Sequence, residues 1–242
     1  MGKDIGTGAR TTLVVGATGR LGAAIARALA ARGDKLILTA RDASKLDVLS
    51  QDLASLHGSP PPTVCADLTR VDAVDVIVAD ARKKVDRIGN IVLACGPFPR
   101  TPLASLQRDD LVHTLTVHAV APLLLVHALS QDLARANGAV VALSDAGVTR
   151  PYTNFVAYLS AKGALQTGLR ALAIELAPDV RVNMIALGIV ADPEADADPL
   201  RMHRLVTRSP LGRFGTADEV VHVALALLDA TWATGEIWGT GR

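Results

Sequence analysis

The chain has 242 residues, half of them apolar but only 3% aromatic, and 25 Lys and Arg offset 24 Asp and Glu to a formal charge of +1. That length suits one large α/β domain spanning residues 1–242, and the near-neutral balance argues against nucleic acid or an anionic membrane as the main partner. A core that must be aliphatic suits parallel strands covered by helices.

Cys65 and Cys95 show no metal-ligand spacing, so no metal site is expected and a reduced, cytoplasmic setting is. The N-terminal Met-Gly-Lys-Asp-Ile-Gly lacks the apolar core of a signal peptide, and Gly6 stands where a myristoylation motif wants Ser or Thr. The longest apolar stretch, around Ala119 to Leu129, holds Pro122 and His127 and is too short to span a bilayer. The expectation is a soluble protein.

Short β-rich runs alternate with longer helical patterns, which predicts a doubly wound, mostly parallel sheet of Rossmann type with helices on both faces. Thr11 to Val15 reads as a first strand feeding a helix over Leu21 to Ala31. Lys35 to Thr39 is a second strand, with a helix near Ala43 to Leu56. Pro60-Pro61-Pro62 punctuates before strand Thr63 to Ala66, and a helix follows near Val71 to Lys84. Asn90 to Ala94 is a fourth strand, ending in Gly96-Pro97. A long helix reads from Ser105 to Ala136, bent near Pro122 where a ladder hydrogen bond is missing.

Ala139 to Leu143 is a fifth strand, Phe155 to Leu176 a helix, and Val180 to Ile185 a sixth strand. Gly188 to Gly215 is a long polar connection with acidic-proline patches at Asp192-Pro193 and Asp198-Pro199, a length that suits a substrate lid. Thr216 to Leu228, opened by Thr-Ala-Asp-Glu, is the last helix, and Gly235 to Trp238 reads as an edge strand.

The turn between the first strand and first helix is Gly16-Ala17-Thr18-Gly19-Arg20-Leu21-Gly22. Glycines there let backbone amides approach a pyrophosphate, which the helix N-terminus also attracts. The spacing differs from G-x-G-x-x-G, and its place in a βα pattern carries the reading. At the end of the second strand, an acid usually takes the ribose 2′-hydroxyl of NAD, whereas an arginine accommodates the 2′-phosphate of NADP. Arg41 stands there, with Arg20 as a second guanidinium, so NADPH is the expected coenzyme. Asp42 is the counter-signal, unless it simply starts the next helix. Asp67-Leu68 after the third strand is placed to hold the adenine edge, or to cap a helix.

The remaining candidates for chemistry are Asp145, Tyr158 thirteen residues on, and Lys162 four further. A phenol and an ammonium four apart on a helix share one face, and the ammonium is expected to favour the ionised phenol.

Together the glycine loop, Asp67-Leu68, Tyr158-x-x-x-Lys162, Asn183-Met184-Ile185 and Pro210-Leu211-Gly212-Arg213-Phe214-Gly215 resemble the short-chain dehydrogenase/reductase family over essentially the whole chain. The family's usual serine is replaced by Asp145, its asparagine aligns with His118, and its Asn-Ala-Gly reads Ala94-Cys95-Gly96. Arg20-Leu21-Gly22 with Asp145 looks like the pteridine reductase branch, in which an aromatic residue past the fourth strand stacks on the pterin; Phe98 stands there.

The resemblance implies a hydride delivered from NADPH to a pterin C=N carbon, with Tyr158 or Asp145 donating the proton. Ala94, Gly96 and Gly188 would line the coenzyme, while Lys162 would hold its ribose. Arg20, Phe98, Asp145 and Tyr158 would meet the substrate, with His118 either relaying protons or packing a helix. The alternatives are an NADPH-dependent carbonyl reductase of the same family and a catalytically idle cofactor-binding regulator. The family usually forms dimers or tetramers through the helices at Ser105 to Ala136 and Phe155 to Leu176, whose abundant Ala and Leu exceed what one buried face needs.

Overall fold

A computed structural model describes residues 10–190, 199–207 and 209–240. Its first half alternates β1 (Thr11–Val15), α1 (Arg20–Ala31), β2 (Lys35–Ala40), α2 (Ala43–His57), β3 (Thr63–Cys65), α3 (Ala73–Lys84) and β4 (Asn90–Leu93). Then come α4 (Arg108–Leu115), a π-helical turn (Thr116–Val120), α5 (Ala121–Ala128), α6 (Ser130–Arg135) and β5 (Ala139–Asp145). The chain closes with α7 (Val156–Glu175), β6 (Arg181–Leu187), α8 (Pro199–Val206), α9 (Ala217–Asp229) and β7 (Ile237–Gly239). The strands form one sheet in the order β3-β2-β1-β4-β5-β6-β7, and every pairing among them is parallel. This is the doubly wound α/β fold expected.

Both faces of the sheet are covered, because successive strand residues point to opposite sides. Leu13, Ile37, Ile91, Val140 and Val182 pack under α3, α5 and α7. Val14, Leu36, Leu38, Val92, Val141 and Ile185 pack under α1, α2 and α9. Strands β1, β2, β4, β5 and β6 are largely buried on both faces and read as near-continuous aliphatic runs, while the edge strand β7 leaves Trp238 exposed.

Three segments differ from the sequence expectation. The long helix is broken up: α4 begins at Arg108, where Gln107 N–H donates to Asp110 (2.9 Å), and a separate 3₁₀ turn covers Leu103–Ser105. Pro122 has no N–H to give the carbonyl of His118, and the turn before it widens to a π-turn in which Ala121 N–H reaches back to Thr116. The combined run Arg108–Ala128 is 21 residues and long and apolar enough to cross a membrane, unlike the shorter stretch read from sequence; here it packs on α3 and α7. Within Gly188 to Gly215, α8 occupies Pro199–Val206 and a bridge between Val190 and Gly215 closes the base, while Asp192, Pro193 and Asp198 lie outside the described residues. Third, β5 runs two residues past Leu143, which carries Asp145 into the strand end.

The Asn183 side chain, fully buried in β6, ties the sheet to the segment that enters β7. Its amide donates to Ala233 O (2.7 Å) and accepts from Glu236 N–H (3.2 Å). Asn183→Ala leaves both backbone groups short of a partner and is expected to cost about 1–3 kcal/mol, read from the urea midpoint. An unchanged midpoint would mean that water replaces the amide.

Candidate active site

Parallel pairing brings the carboxyl ends of the strands to one rim, where open α/β sheets bind ligands. The turn after β1 rests on the end of β4. Gly16 has φ +77°, and a Cβ there would lie 2.7 Å from Ala94 O; one on Gly22 would lie 2.3 Å from Gly16 O. Neither position admits a side chain. α1 then starts with no side-chain cap on Gly19 and no acid in its first turn, whereas Asp42 caps α2 by accepting from Lys45 N–H (3.1 Å). The first amides of α1 are thus left for an anion, and the glycine cradle fits the pyrophosphate of a dinucleotide. Asp42, the counter-signal for NAD, is a helix cap.

Thr18 and Leu21 are half-buried in this turn, and Arg20 reaches across the rim to Val190 O (3.3 Å). Arg41 is exposed just beyond β2. Asp67 accepts from Thr69 N–H (3.0 Å), and that bond holds its carboxyl below the usual range; Leu68 beside it is buried. Arg41 and Asp67 therefore mark the β2–β3 side of the rim, away from the phenol cluster on β5 and α7. Gly188 follows β6 on the same rim.

Past β4, Gly96 takes φ +104° and lies flat against the His118 imidazole, which a Cβ would meet at 2.1 Å. His118 Nε2 is 2.8 Å from Pro97 O, and a carbonyl only accepts, so Nε2 carries the hydrogen. Nδ1 is buried with no partner, and burial pushes the imidazole down to about 3. His118 is neutral at physiological pH.

Asp145 is the hub of the site. Its Oδ1 accepts from Gly147 N–H (2.6 Å), while Oδ2 accepts from the hydroxyls of Tyr158 and Tyr152, each at 3.1 Å. It caps the local turn and engages the phenol at once. Ser144, one residue back, points to the other face and is held by Gln166 (2.9 Å), so it cannot stand in for Asp145.

The expectation for Lys162 is corrected. Its Nζ donates to Leu143 O (2.8 Å) and lies 5.7 Å from the Tyr158 ring centre, and burial lowers its pKa. Burial and the Asp145 charge instead push Tyr158 well above the ordinary tyrosine range. The carboxylate on the phenol oxygen outweighs the more distant ammonium, so the phenol keeps its proton.

An aromatic wall completes the site. Phe98 stacks on Phe155 (4.4 Å between centres) and meets the Tyr158 ring edge-on (4.8 Å), yet is still 53% exposed. Tyr152 packs against Phe155 at 5.1 Å. Sequence reasoning missed Tyr152 and Phe155. The available signal was scarcity: of only two Tyr, three Phe and two Trp in the chain, both tyrosines and two phenylalanines meet here.

Both tyrosines donate to one carboxylate, so the tyrosinate absorbance of this protein reports the site alone. Tyrosine ionisation is expected well above its usual value of about 10, and Asp145→Asn should bring it down. The raised folded-state pKa gives a stabilising term that is full below the unfolded value and lost as pH climbs through the folded one. Titration of the wild-type tyrosines at the ordinary pH would contradict this reading.

The family described as enoyl-(acyl carrier protein) reductase matches residues 16–239. L-xylulose reductase of Bos taurus is 29% identical over 230 residues, covering 93% of this chain and 91% of its own. A solved structure from Brucella melitensis, described as a short-chain dehydrogenase/reductase of glucose/ribitol dehydrogenase type, aligns with a TM-score of 0.88 at 29% identity, over 96% of this chain and 94% of that one. L-sorbose reductase of Gluconobacter frateurii, solved with NADPH and L-sorbose, shares the fold at a TM-score of 0.89 and 20% identity, over 99% and 97%. With its glycine cradle, Tyr158 and Lys162 in place, this chain belongs to the short-chain dehydrogenase/reductase family of NAD(P)-dependent oxidoreductases.

Proposed function

We propose that the protein reduces the carbonyl group of a small-molecule ketone or aldehyde with NADPH. The observation that carries this is the protonated Tyr158 phenol at the rim, beside a cradle built for a dinucleotide. When bound, the coenzyme supplies a hydride. That hydride would go to the carbonyl carbon, and Tyr158 would give its proton to the carbonyl oxygen as the C=O π bond opens to the alcohol. An alkoxide is far more basic than a phenolate, so a phenol with a raised pKa still transfers downhill. Solvent then reprotonates the phenolate.

Lys162 uses one of its three N–H donors on Leu143, which leaves two for the nicotinamide ribose. Gly16 to Gly22 would hold the pyrophosphate, and Arg41, exposed and lacking an acid at its own position, the 2′-phosphate. Neutral His118 would serve by shape and by its Nδ1 acceptor rather than by charge.

The relatives support this reading over pterin reduction, since L-xylulose reductase is by name a carbonyl-reducing enzyme and the likeness to the pteridine branch has no counterpart among the three proteins reported above. One observation favours the pterin as a second reading. Phe98 presents an exposed face near Asp145, an acceptor suited to ring N–H donors. We also place a homo-oligomer interface on α4, α5 and α7, where Val112, Leu124, Val156 and Ile174 point outward.

NADPH oxidation with a panel of ketones should proceed, and should exceed that with dihydrobiopterin. The reverse order would install the pterin. Tyr158→Phe is expected to lower turnover by about 10²–10⁴-fold with little change in NADPH affinity. Arg41→Ala should weaken NADPH about 10- to 100-fold, the worth of a charged hydrogen bond, and hardly move NADH. Equal losses for both coenzymes would remove Arg41 from the 2′-phosphate.

A further inference from the structure

The amino ends of the strands form a second rim, opposite the one that carries the glycine cradle and the phenols. A cleft of about 640 Å³ opens there, and its lining is one-sided in charge. Seven of its thirteen lining residues are Lys or Arg, against the single carboxylate of Asp86, in a chain whose formal charge is only +1.

Helix geometry explains part of this, because the crossover helices end at this rim and cations complement the carbonyls of a helix C-terminus. Four of the seven are spent on nearby carbonyls or acids. Lys84 Nζ donates to Thr63 O (2.6 Å) and Arg87 Nη1 to Arg135 O (3.1 Å), while Arg82 pairs with Asp132 (3.1 Å) and Lys83 with Asp80 (2.8 Å). The side chains of Arg10, Lys35 and Arg135 are not spent: among the described residues, none of the three has a hydrogen bond or ion pair.

Their places are nevertheless fixed by the sheet. Arg10 enters β1 with its stem against Gly89, where an added Cβ would come 3.1 Å from Arg10 Cβ. Lys35 opens β2 opposite Thr11, and Arg135 closes α6 ahead of β5. Because β2, β1, β4 and β5 are successive in the sheet, Lys35 and Arg135 stand about three strand spacings apart, roughly 14 Å, with Arg10 between them. The field of this rim reaches further: burial first, and the Arg10 charge second, hold Arg181 below the usual arginine range.

This pattern selects the chemistry of a ligand. Unpaired guanidinium forks match phosphate oxygens. A row of cations spread over several strands suits a chain of negative charges better than one compact anion. The lining holds no aromatic ring, and Val85 is its one large apolar side chain, so an aromatic platform for a nucleobase is lacking. We propose that this cleft is a second ligand site, which binds a linear oligophosphate across Arg10, Lys35 and Arg135, away from the coenzyme rim.

The test is equilibrium dialysis of the full chain, carrying one equivalent of NADPH, against sodium tripolyphosphate, ATP or AMP at constant ionic strength. Tripolyphosphate is expected to bind one per chain, and AMP at least about tenfold more weakly, having lost charged hydrogen bonds. ATP should match tripolyphosphate where its nucleoside hangs in solvent, and should fail where only the free chain is taken; both results support the site. Arg10→Gln and Arg135→Gln should each weaken tripolyphosphate about tenfold, while Arg41→Ala, on the other rim, leaves it unchanged. Should Arg10→Gln fold poorly, Lys35→Gln alters an exposed side chain of the same row and should act alike. An empty cluster of like charges repels itself, so neither Gln variant is expected to lower the melting temperature of the free protein. A lowered melting temperature with tripolyphosphate binding intact would make these cations structural and overturn the site. So would no binding by the wild type, loss of binding in Arg41→Ala, or ATP binding tenfold or more tighter than tripolyphosphate. No turnover is read, so the outcome is independent of the carbonyl reading.

Discussion

Parallel pairing is the constraint on which the rest of the molecule depends. Each parallel strand must return by a crossover, so helices cover both faces and all seven carboxyl ends gather on one rim. Residues far apart in sequence reach that rim without any long-range design of their own. The glycine turn, Gly96, Asp145 and Gly188 are neighbours because each follows a strand that ends there. The aliphatic core on either face supplies the rigidity, and the strand ends supply the chemistry.

Within the rim, one carboxylate decides the electrostatics. Asp145 is gripped at Oδ1 by a backbone amide and at Oδ2 by two phenols. Burial first, and the Asp145 charge second, keep the Tyr158 phenol protonated, while the Gly147 amide fixes the position of the carboxylate itself. Lys162 is turned to a backbone carbonyl instead, so it acts on the phenol from a distance.

Much of this was legible in the sequence, for reasons that differ by element. Strands such as Thr11–Val15 and Asn90–Leu93 are buried on both faces, and unbroken aliphatic runs between turn residues announce them. The start of the Thr216 helix is visible in its capping box. The π-turn at His118 was only half visible: Pro122 signals a missing hydrogen bond, but whether the helix kinks or widens depends on what packs against it. Lys162 escapes such a reading because four-residue spacing fixes which helix face a side chain leaves, whereas a competing partner such as Leu143 O comes from a strand far off in sequence. Tyr152 escaped notice because no local pattern marks a loop phenol whose partner is seven residues back.

The cofactor end and the substrate end also differ in how firmly the backbone commits them. The glycine turn is fixed by contacts that exclude a single methyl group, while Phe98 and Tyr152 stand partly in solvent on loops. The glycine turn is thus written into the scaffold, while the aromatic wall rests on a handful of partly exposed side chains.

On the proposed carbonyl chemistry, the carboxylate beside Tyr158 weighs differently on reduction and on oxidation. Oxidising an alcohol needs the phenol as a base, and that means an anion next to Asp145. Reduction starts from the neutral phenol, which is the resting form. Rising pH would therefore favour the oxidative direction, which draws on the anion, and falling pH the reductive one, which draws on the neutral phenol.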